Sequence, residues 1–254
     1  MLKTIKNYST SFFSIFVPPF FIATILATLL FNISVIPSSS MYPNLKLGDR
    51  LLTTKFSYGY SFNSFHYMMP WFRYQLPGLN MYAPITDPQR GDIVVFCSPV
   101  APYIYIKRLI GLPGDKIQLI DGELHINGSK LYREKLEMIS INEEHRKTEF
   151  QIYREYISES VHYRVQYDMT NRDHISLRRI NNTGVFEVPM GYYFFLGDNR
   201  DRSKDSRFQF DGIGYIARKD LMGKAQFRIW ARDFSFWNFI TSLDRASIFR
   251  YLYA

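Results

Sequence analysis

Ser38, Ser39 and Ser40 stand together between two prolines in Ile36-Pro37-Ser38-Ser39-Ser40-Met41-Tyr42-Pro43-Asn44-Leu45, with Gly48-Asp49 just beyond. A serine hydroxyl is a weak nucleophile until a neighbouring base accepts its proton. Serine and proline are also ordinary turn residues, so on these residues alone a polar turn is the other reading. Lys107 interrupts the apolar run Tyr105-Ile106-Lys107-Arg108-Leu109-Ile110-Gly111, which is preceded by Arg90-Gly91-Asp92-Ile93-Val94-Val95-Phe96. Strand alternation puts Tyr105, Lys107 and Leu109 on one face, so Lys107 either meets water or carries its amine inward. A lysine acts as a base only when neutral, which requires its pKa of about 10.4 to fall by roughly two to three pH units. The segment Gly197-Asp198-Asn199-Arg200-Asp201-Arg202-Ser203-Lys204-Asp205-Ser206-Arg207-Phe208 is dense in charge and follows the apolar Tyr192 to Leu196. Asp205 and Arg207 have the spacing of charges that brace one another. His66, His125, His145, His162 and His174 are scattered outside these stretches, and they form neither a triad signature nor short-spaced metal ligands.

The elements that must hold these side chains read as strands. Asp92 to Ser98, Tyr103 to Leu109, Tyr192 to Leu196 and Lys224 to Trp230 are apolar runs bounded by turn residues. Lys116 to Ile126 is broken by Asp121-Gly122 and predicts a hairpin. Val161, Tyr163, Val165 and Tyr167 alternate with His162, Arg164 and Gln166, the period of a strand with one wet face. Long helical periods are missing after residue 36. The expected fold is an all-β catalytic domain, barrel-like or of complex β form, with one N-terminal transmembrane helix. The charge-rich stretch from Ser129 to Asn182 interrupts the core strands and is expected to be an inserted β subdomain.

The N-terminal element is marked by charge. Nothing from Asn7 to Leu45 is charged, and Phe12 to Phe31 is almost wholly apolar, about the 20 residues that a helix needs to cross a bilayer. Pro18 and Pro19 fall inside and move the expected start or kink of the span. The expected division is a short cytoplasmic N-terminus over 1–11, a transmembrane anchor over 12–36, and an extracytoplasmic domain over 37–254. Lys3 and Lys6 before the span favour that orientation. A cleaved secretory leader is the competing reading, because small residues Ser38 to Ser40 follow the apolar run. The length of that run and Pro37 favour retention.

Taken together and in this order, the four stretches resemble the type I signal peptidases, membrane-bound Ser/Lys proteases that remove signal peptides from exported preproteins. The resemblance implies that Ser40 is the nucleophile and Lys107 the general base, working through an acyl-enzyme. It also implies that Ser38 and the Ser40 backbone N–H form the oxyanion hole and that Ser203 orients the lysine. Asp198, Asp205, Arg207 and Arg108 would be structural ion-pair residues. Ile36, Met41 and Tyr105 are candidate walls of pockets for small substrate residues such as Ala. Residues 56–82, 129–182 and the tail after Trp230 match the family only loosely.

A formal net charge of +8 suits nucleic acid or an anionic membrane surface, and no nucleic-acid motif accompanies it. Membrane lipid is therefore an expected partner and nucleic acid is not; the resemblance implies signal-peptide-bearing preproteins as the other partner, and the expected location is the inner membrane with the catalytic domain outside. The aromatic stretch from Phe56 to Tyr82, including Phe65, Tyr67, Met68, Met69, Trp71 and Phe72, is either core or a membrane-facing loop. The tail from Arg245 to Tyr253 is a second candidate for lipid contact. Cys97 is the single cysteine, which excludes an internal disulfide. No metal and no cofactor is expected. Two rivals are a related Ser/Lys protease that cleaves itself or a regulator, and a noncatalytic membrane-anchored binding protein.

Overall fold

The computed structural model describes residues 2–65, 82–98, 103–143, 146–170, 175–210, 212–230 and 250–252. Helix α1 (Leu2–Leu30) contains both Pro18 and Pro19, and its side chains are described from Ser14 onward. It stops at Leu30, and the chain passes at once into strand β1 (Phe31–Val35), which pairs antiparallel with β2 (Arg50–Thr54). The expected span over 12–36 is therefore too long at its C-terminal end. Phe31, Ile33 and Val35 look like a continuation of the apolar run, but Asn32 and Ser34 between them impose the period of a strand, and β2 supplies the partner. Lys55 ties the helix end down, because its Nζ donates to Thr28 O at 2.9 Å and its backbone N–H to Leu30 O at 2.9 Å. Tyr60 Oη adds a bond to Leu29 O at 3.2 Å. Among the described residues, no helix is long and apolar enough to cross a membrane.

The main sheet has eight strands. Its order is β1, β2, β16 (Leu221–Trp230), β5 (Ile93–Cys97), β6 (Ile104–Gly111), β14 (Tyr192–Leu196) and β15 (Ile216–Ala217), with β17 (Arg250–Tyr251) paired to β16. The barrel-like expectation is corrected here. The path runs from β1 at one edge to the short β15 at the other, and among the described residues no sheet closes on itself. A second sheet runs β13 (Phe186–Glu187), β7 (Lys116–Ile120), β8 (Glu123–Ile126) and β9 (Ser129–Lys130). Its β7–β8 turn places Asp121 and Gly122 at φ 51° and 76°, the left-handed pair that the Asp-Gly signal predicts. The remaining pairings are β3 (Gly59–Ser61) with β4 (Tyr82–Pro84), and a separate sheet of β10 (Tyr132–Glu143), β11 (Arg146–Tyr156) and β12 (His162–Asp168). Helix α2 (Ile175–Asn181) follows it.

Three apolar clusters hold this arrangement. Ile36, Met41, Leu45 and Leu51 pack with Ile93, Val95 and Ile106 on one side of the main sheet. Phe96, Leu109, Tyr193 and Phe195 pack on the other. Ile110, Phe194 and Leu196 join Leu119 and Leu124 of the second sheet to Tyr163, Val165 and Tyr167 of the third. Burial of these large side chains stabilises the fold by about 1.5–3 kcal/mol each. The third sheet is thereby packed against the end of β14, where the charged block begins. Of the aromatic stretch, residues 66–81 lie outside the described residues, as do tail positions 245–249 and 253.

Candidate active site

Ser40 lies on a single 3-10 turn, Ser39–Met41, between Ser38 in extended conformation and Tyr42. The turn is pinned from below by Met41, which is fully buried, and by Leu45, whose N–H bonds Met41 O at 2.9 Å. The loop closes on itself where Ile36 N–H meets Asp49 O and Gly48 N–H meets Ile36 O, both at 2.9 Å. From above, Asn199 donates its backbone N–H to Ser40 O at 3.0 Å and its Nδ2 to Ser39 O at 3.1 Å. A short polar turn is thus held on both sides before any chemistry is considered.

Lys107 enters from β6, opposite Val94 of β5, and is 3% exposed. Its Nζ is in hydrogen-bond contact with Ser40 Oγ, and Ser38 Oγ lies 3.2 Å from the same Ser40 oxygen. Burial lowers the pKa of Lys107 to about 8, against the pull of Asp205 and Asp198, which raise it; Arg207 lowers it further. As an ammonium Lys107 donates to Ser40, and as a neutral amine it can accept the Ser40 proton. The contact opens into a cleft of about 290 Å³ whose walls include Ile36, Pro37, Met41, Tyr103, Tyr105 and Ile106. All three residues expected to line small pockets are therefore present at its rim.

Arg108, the next residue on β6, turns to the opposite side. It grips Asp198 with Nε and Nη2, both at 2.7 Å, donates to Gly91 O at 2.8 Å, and lies 4.1 Å above the ring centre of Tyr163. Asp198 arrives because β14 pairs with β6, with Leu196 opposite Arg108. Arg207 binds Asp205 through Nε at 2.8 Å and Nη2 at 2.9 Å, and Asp205 also accepts the Gly197 N–H at 3.0 Å. Arg207 beside it, with the Gly197 N–H and Lys107, holds the Asp205 carboxyl below its ordinary range although burial opposes this. Gly197 is required by space. A Cβ there would meet Ser203 Oγ at 2.2 Å and Ser40 O at 2.6 Å.

Ser203 is buried next to this glycine, yet its hydroxyl has no hydrogen-bond partner among the described residues. It is brought to the site, but no bond to Lys107 is formed. Asn199 and Asn44 are the positions whose roles the sequence reading did not assign. Asn44 Nδ2 donates to Asp198 Oδ2 at 2.6 Å and to Arg164 O at 2.7 Å, which links the serine turn to the charged block and to β12. Both asparagines sit inside the recognised stretches, so their location was the available signal. His125 and His162, the histidines among the described residues, make contacts away from the cleft: Nδ1 of His125 lies 3.0 Å from Glu123 O, and His162 packs on Tyr156.

Residues 9–230 match the family described as signal peptidase, peptidase S26. The signal peptidase I of Rickettsia typhi is 38% identical over 237 residues, which cover 93% of this chain and 84% of that protein. The signal peptidase I of Rickettsia canadensis is 38% identical over 218 residues, covering 85% of this chain and 78% of the relative. A crystal structure of a signal peptidase I from Enterococcus faecalis is 30% identical, covers 55% of this chain and 97% of that chain, and superposes with a TM-score of 0.32.

Proposed function

The chain belongs to the signal peptidase family, peptidase S26, and from that premise we propose that Ser40 is its nucleophile and Lys107 its general base. The protein is a serine endopeptidase that removes signal peptides from preproteins, and it works at a membrane. The observation that carries the residue assignment is the buried contact of the Lys107 amine with the Ser40 hydroxyl, with the amine lowered to about 8.

In this mechanism Ser40 Oγ attacks the scissile carbonyl carbon as its proton passes to Lys107 Nζ. The carbonyl oxygen becomes an oxyanion, which accepts hydrogen bonds from the Ser40 N–H and the Ser38 hydroxyl. The Ser38 hydroxyl has the reach for this, since it already lies 3.2 Å from the attacking oxygen. Collapse of the intermediate breaks the C–N bond, Lys107 returns the proton to the leaving amine, and the signal peptide remains as an ester of Ser40. Lys107 then takes a proton from water as the water oxygen attacks the ester; the bond to Ser40 Oγ breaks, Lys107 passes the proton to that oxygen, and the acid is released. Small residues before the cut would sit between Ile36, Met41 and Tyr105. Asp198 with Arg108, and Asp205 with Arg207, brace the segment over the dyad. Ser203 is assigned a lysine-orienting role that it takes up once its free hydroxyl turns to the amine.

The single-pass anchor belongs to the same proposal. Its support is the uncharged stretch from Asn7 to Leu45 and the outward display of Ile15, Phe20, Phe21, Ile22, Ile25 and Leu26 on α1. Thr24 and Thr28 satisfy their hydroxyls on the carbonyls of Phe20 and Thr24, at 2.8 and 2.7 Å, as polar groups must in hydrocarbon. The domain after the helix would then face the outside, with the charge-rich β10–β12 sheet as its accessory part. The test is processing of a preprotein with an Ala-x-Ala site by the detergent-solubilised chain and by its Lys107→Ala variant. Cleavage at that site by the parent alone supports the dyad. Equal cleavage by both overturns it, and cleavage by neither favours the binding-protein alternative.

A further inference from the structure

Glu155 and Arg200 are opposite charges whose side chains are buried as deeply as those of Asp205 and Arg207. Their side chains are 1% and 0% exposed, and they come from regions 45 residues apart in sequence. Glu155 lies on β11 of the third sheet, and Arg200 lies in the charged block that follows β14. Arg200 Nη1 donates to Glu155 Oε1 at 2.9 Å and Nη2 donates to Oε2. Tyr163 Oη gives a further bond to Oε2 at 3.2 Å, and Tyr167 Oη accepts from Arg200 Nη1 at 3.2 Å. Two desolvated charges are expensive, and they persist only where geometry and extra hydrogen bonds compensate. Such an arrangement calls for a reason beyond stability.

The reason lies in what Arg200 is attached to. Its neighbour Asn199 holds the carbonyls of Ser39 and Ser40. Its own carbonyl accepts from Arg207 Nη2, and Arg207 holds Asp205, which in turn holds the Gly197 N–H. The same sheet fastens the block elsewhere: Gln166 N–H bonds Asp198 O at 2.9 Å, and Asp168 takes Arg202 at 3.0 Å while its N–H bonds Asp201 at 2.8 Å. Tyr163, which bonds Glu155, also lies against Arg108. The charged groups that act on Lys107 are all carried by this block: Asp205 and Asp198, which favour its ammonium form, and Arg207, which opposes it.

We propose that Glu155 is a positioning residue of the peptidase, which acts through Arg200 to hold the 197–207 block against Ser40 and Lys107. The inference rests on the assignment of those two residues as the reacting pair. It makes the charge-rich sheet part of the catalytic apparatus, as a support that reaches the dyad through this buried pair together with the bonds from Gln166 and Asp168. Loss of that support lets water reach the Lys107 amine and returns its pKa toward the ordinary value.

The experiment compares the full-length, detergent-solubilised parent with Glu155→Gln, which keeps the side-chain shape and removes the charge. Turnover of a soluble peptide substrate is normalised to folded protein. The expected result is a fall in kcat of about tenfold to a hundredfold, a KM within about twofold, and an acidic limb of the kcat/KM profile moved to higher pH. A variant with a lower Tm but the parent's kcat per folded molecule and an unmoved limb overturns the proposal. If Glu155→Gln does not fold, Tyr163→Phe decides, since it deletes one bond to Glu155 and keeps the ring over Arg108. A several-fold fall in kcat with the limb moved upward then supports the role, and no change in either overturns it. Ser40→Ala is measured in parallel. An active Ser40→Ala means that the dyad assignment itself is wrong, whereas an inactive Ser40→Ala beside a parent-like Glu155→Gln removes only the positioning role.

Discussion

Lys107 and Arg108 are consecutive residues of β6, each 3% exposed, and they meet opposite fates. On one face Lys107 has a serine hydroxyl for a partner and, among the described residues, no carboxylate bonded to it. On the other, Arg108 is clasped by both oxygens of Asp198 and backed by an aromatic ring. Burial disfavours charge on both sides, but a bidentate carboxylate compensates the guanidinium, which cannot give up its proton anyway. The amine has no such compensation and its pKa falls to about 8. Two cations buried on one strand thus differ according to what is placed opposite them: an amine of lowered pKa against a serine hydroxyl, which is the proposed base, and a guanidinium clasped by a carboxylate.

The most direct way to break that contrast is to make the two faces alike. Lys107→Arg places a side chain that stays protonated where a base is needed, and preprotein cleavage should fall by at least about 10⁴-fold. Cleavage within tenfold of the parent would mean that Ser40 is activated by another group. The complementary change is Asp198→Asn, which leaves Arg108 as an uncompensated buried charge. It should cost about 3–5 kcal/mol of stability in urea unfolding, with activity lost as a consequence. A cost under about 1 kcal/mol would show that water reaches Arg108 readily. Next in size is Ser38→Ala, which removes one donor from the proposed oxyanion hole. Turnover should drop about 100- to 1000-fold while Tm stays near that of the parent; a change under threefold would transfer the role to another donor.

The two faces were not equally legible in the sequence. On the residues alone, the serine cluster could be a polar turn and Lys107 could meet water; the family resemblance named Ser40 and Lys107 for one face, and Asp198, Asp205, Arg207 and Arg108 as the bracing charges. Strand positions around residues 93–97, 104–111 and 192–196 followed from apolar runs and turn residues, and the Asp121-Gly122 hairpin from its turn chemistry. Sheet closure did not follow, because the number of strands says nothing about whether β1 and β15 meet. The end of α1 was misplaced, since Phe31, Ile33 and Val35 have the composition of a span and only Asn32 and Ser34 betray the strand. The pairing of Glu155 with Arg200 was invisible. Both lie in charge-rich segments that read as wet surface, and no local period connects residues brought together by tertiary packing.

A smaller and continuous test uses pH to move Lys107 between its two states. With a pKa of about 8, the neutral fraction rises about tenfold between pH 7 and pH 9, and kcat/KM should rise by the same factor. Stability should follow the same group. The folded protein releases this proton near pH 8, while the unfolded chain holds it to about 10.4. Between those values the unfolded state binds more protons, so the stability of the parent increases with pH, by about 3 kcal/mol in total for this residue. Below about pH 8 the full cost of the buried ammonium is present. Lys107→Met has no such proton to lose, so its urea midpoint should gain less between pH 8 and pH 10 than that of the parent. Equal gains in the two proteins would mean that the Lys107 amine is hydrated and ordinary, and the contrast with Arg108 would then come from side-chain chemistry alone.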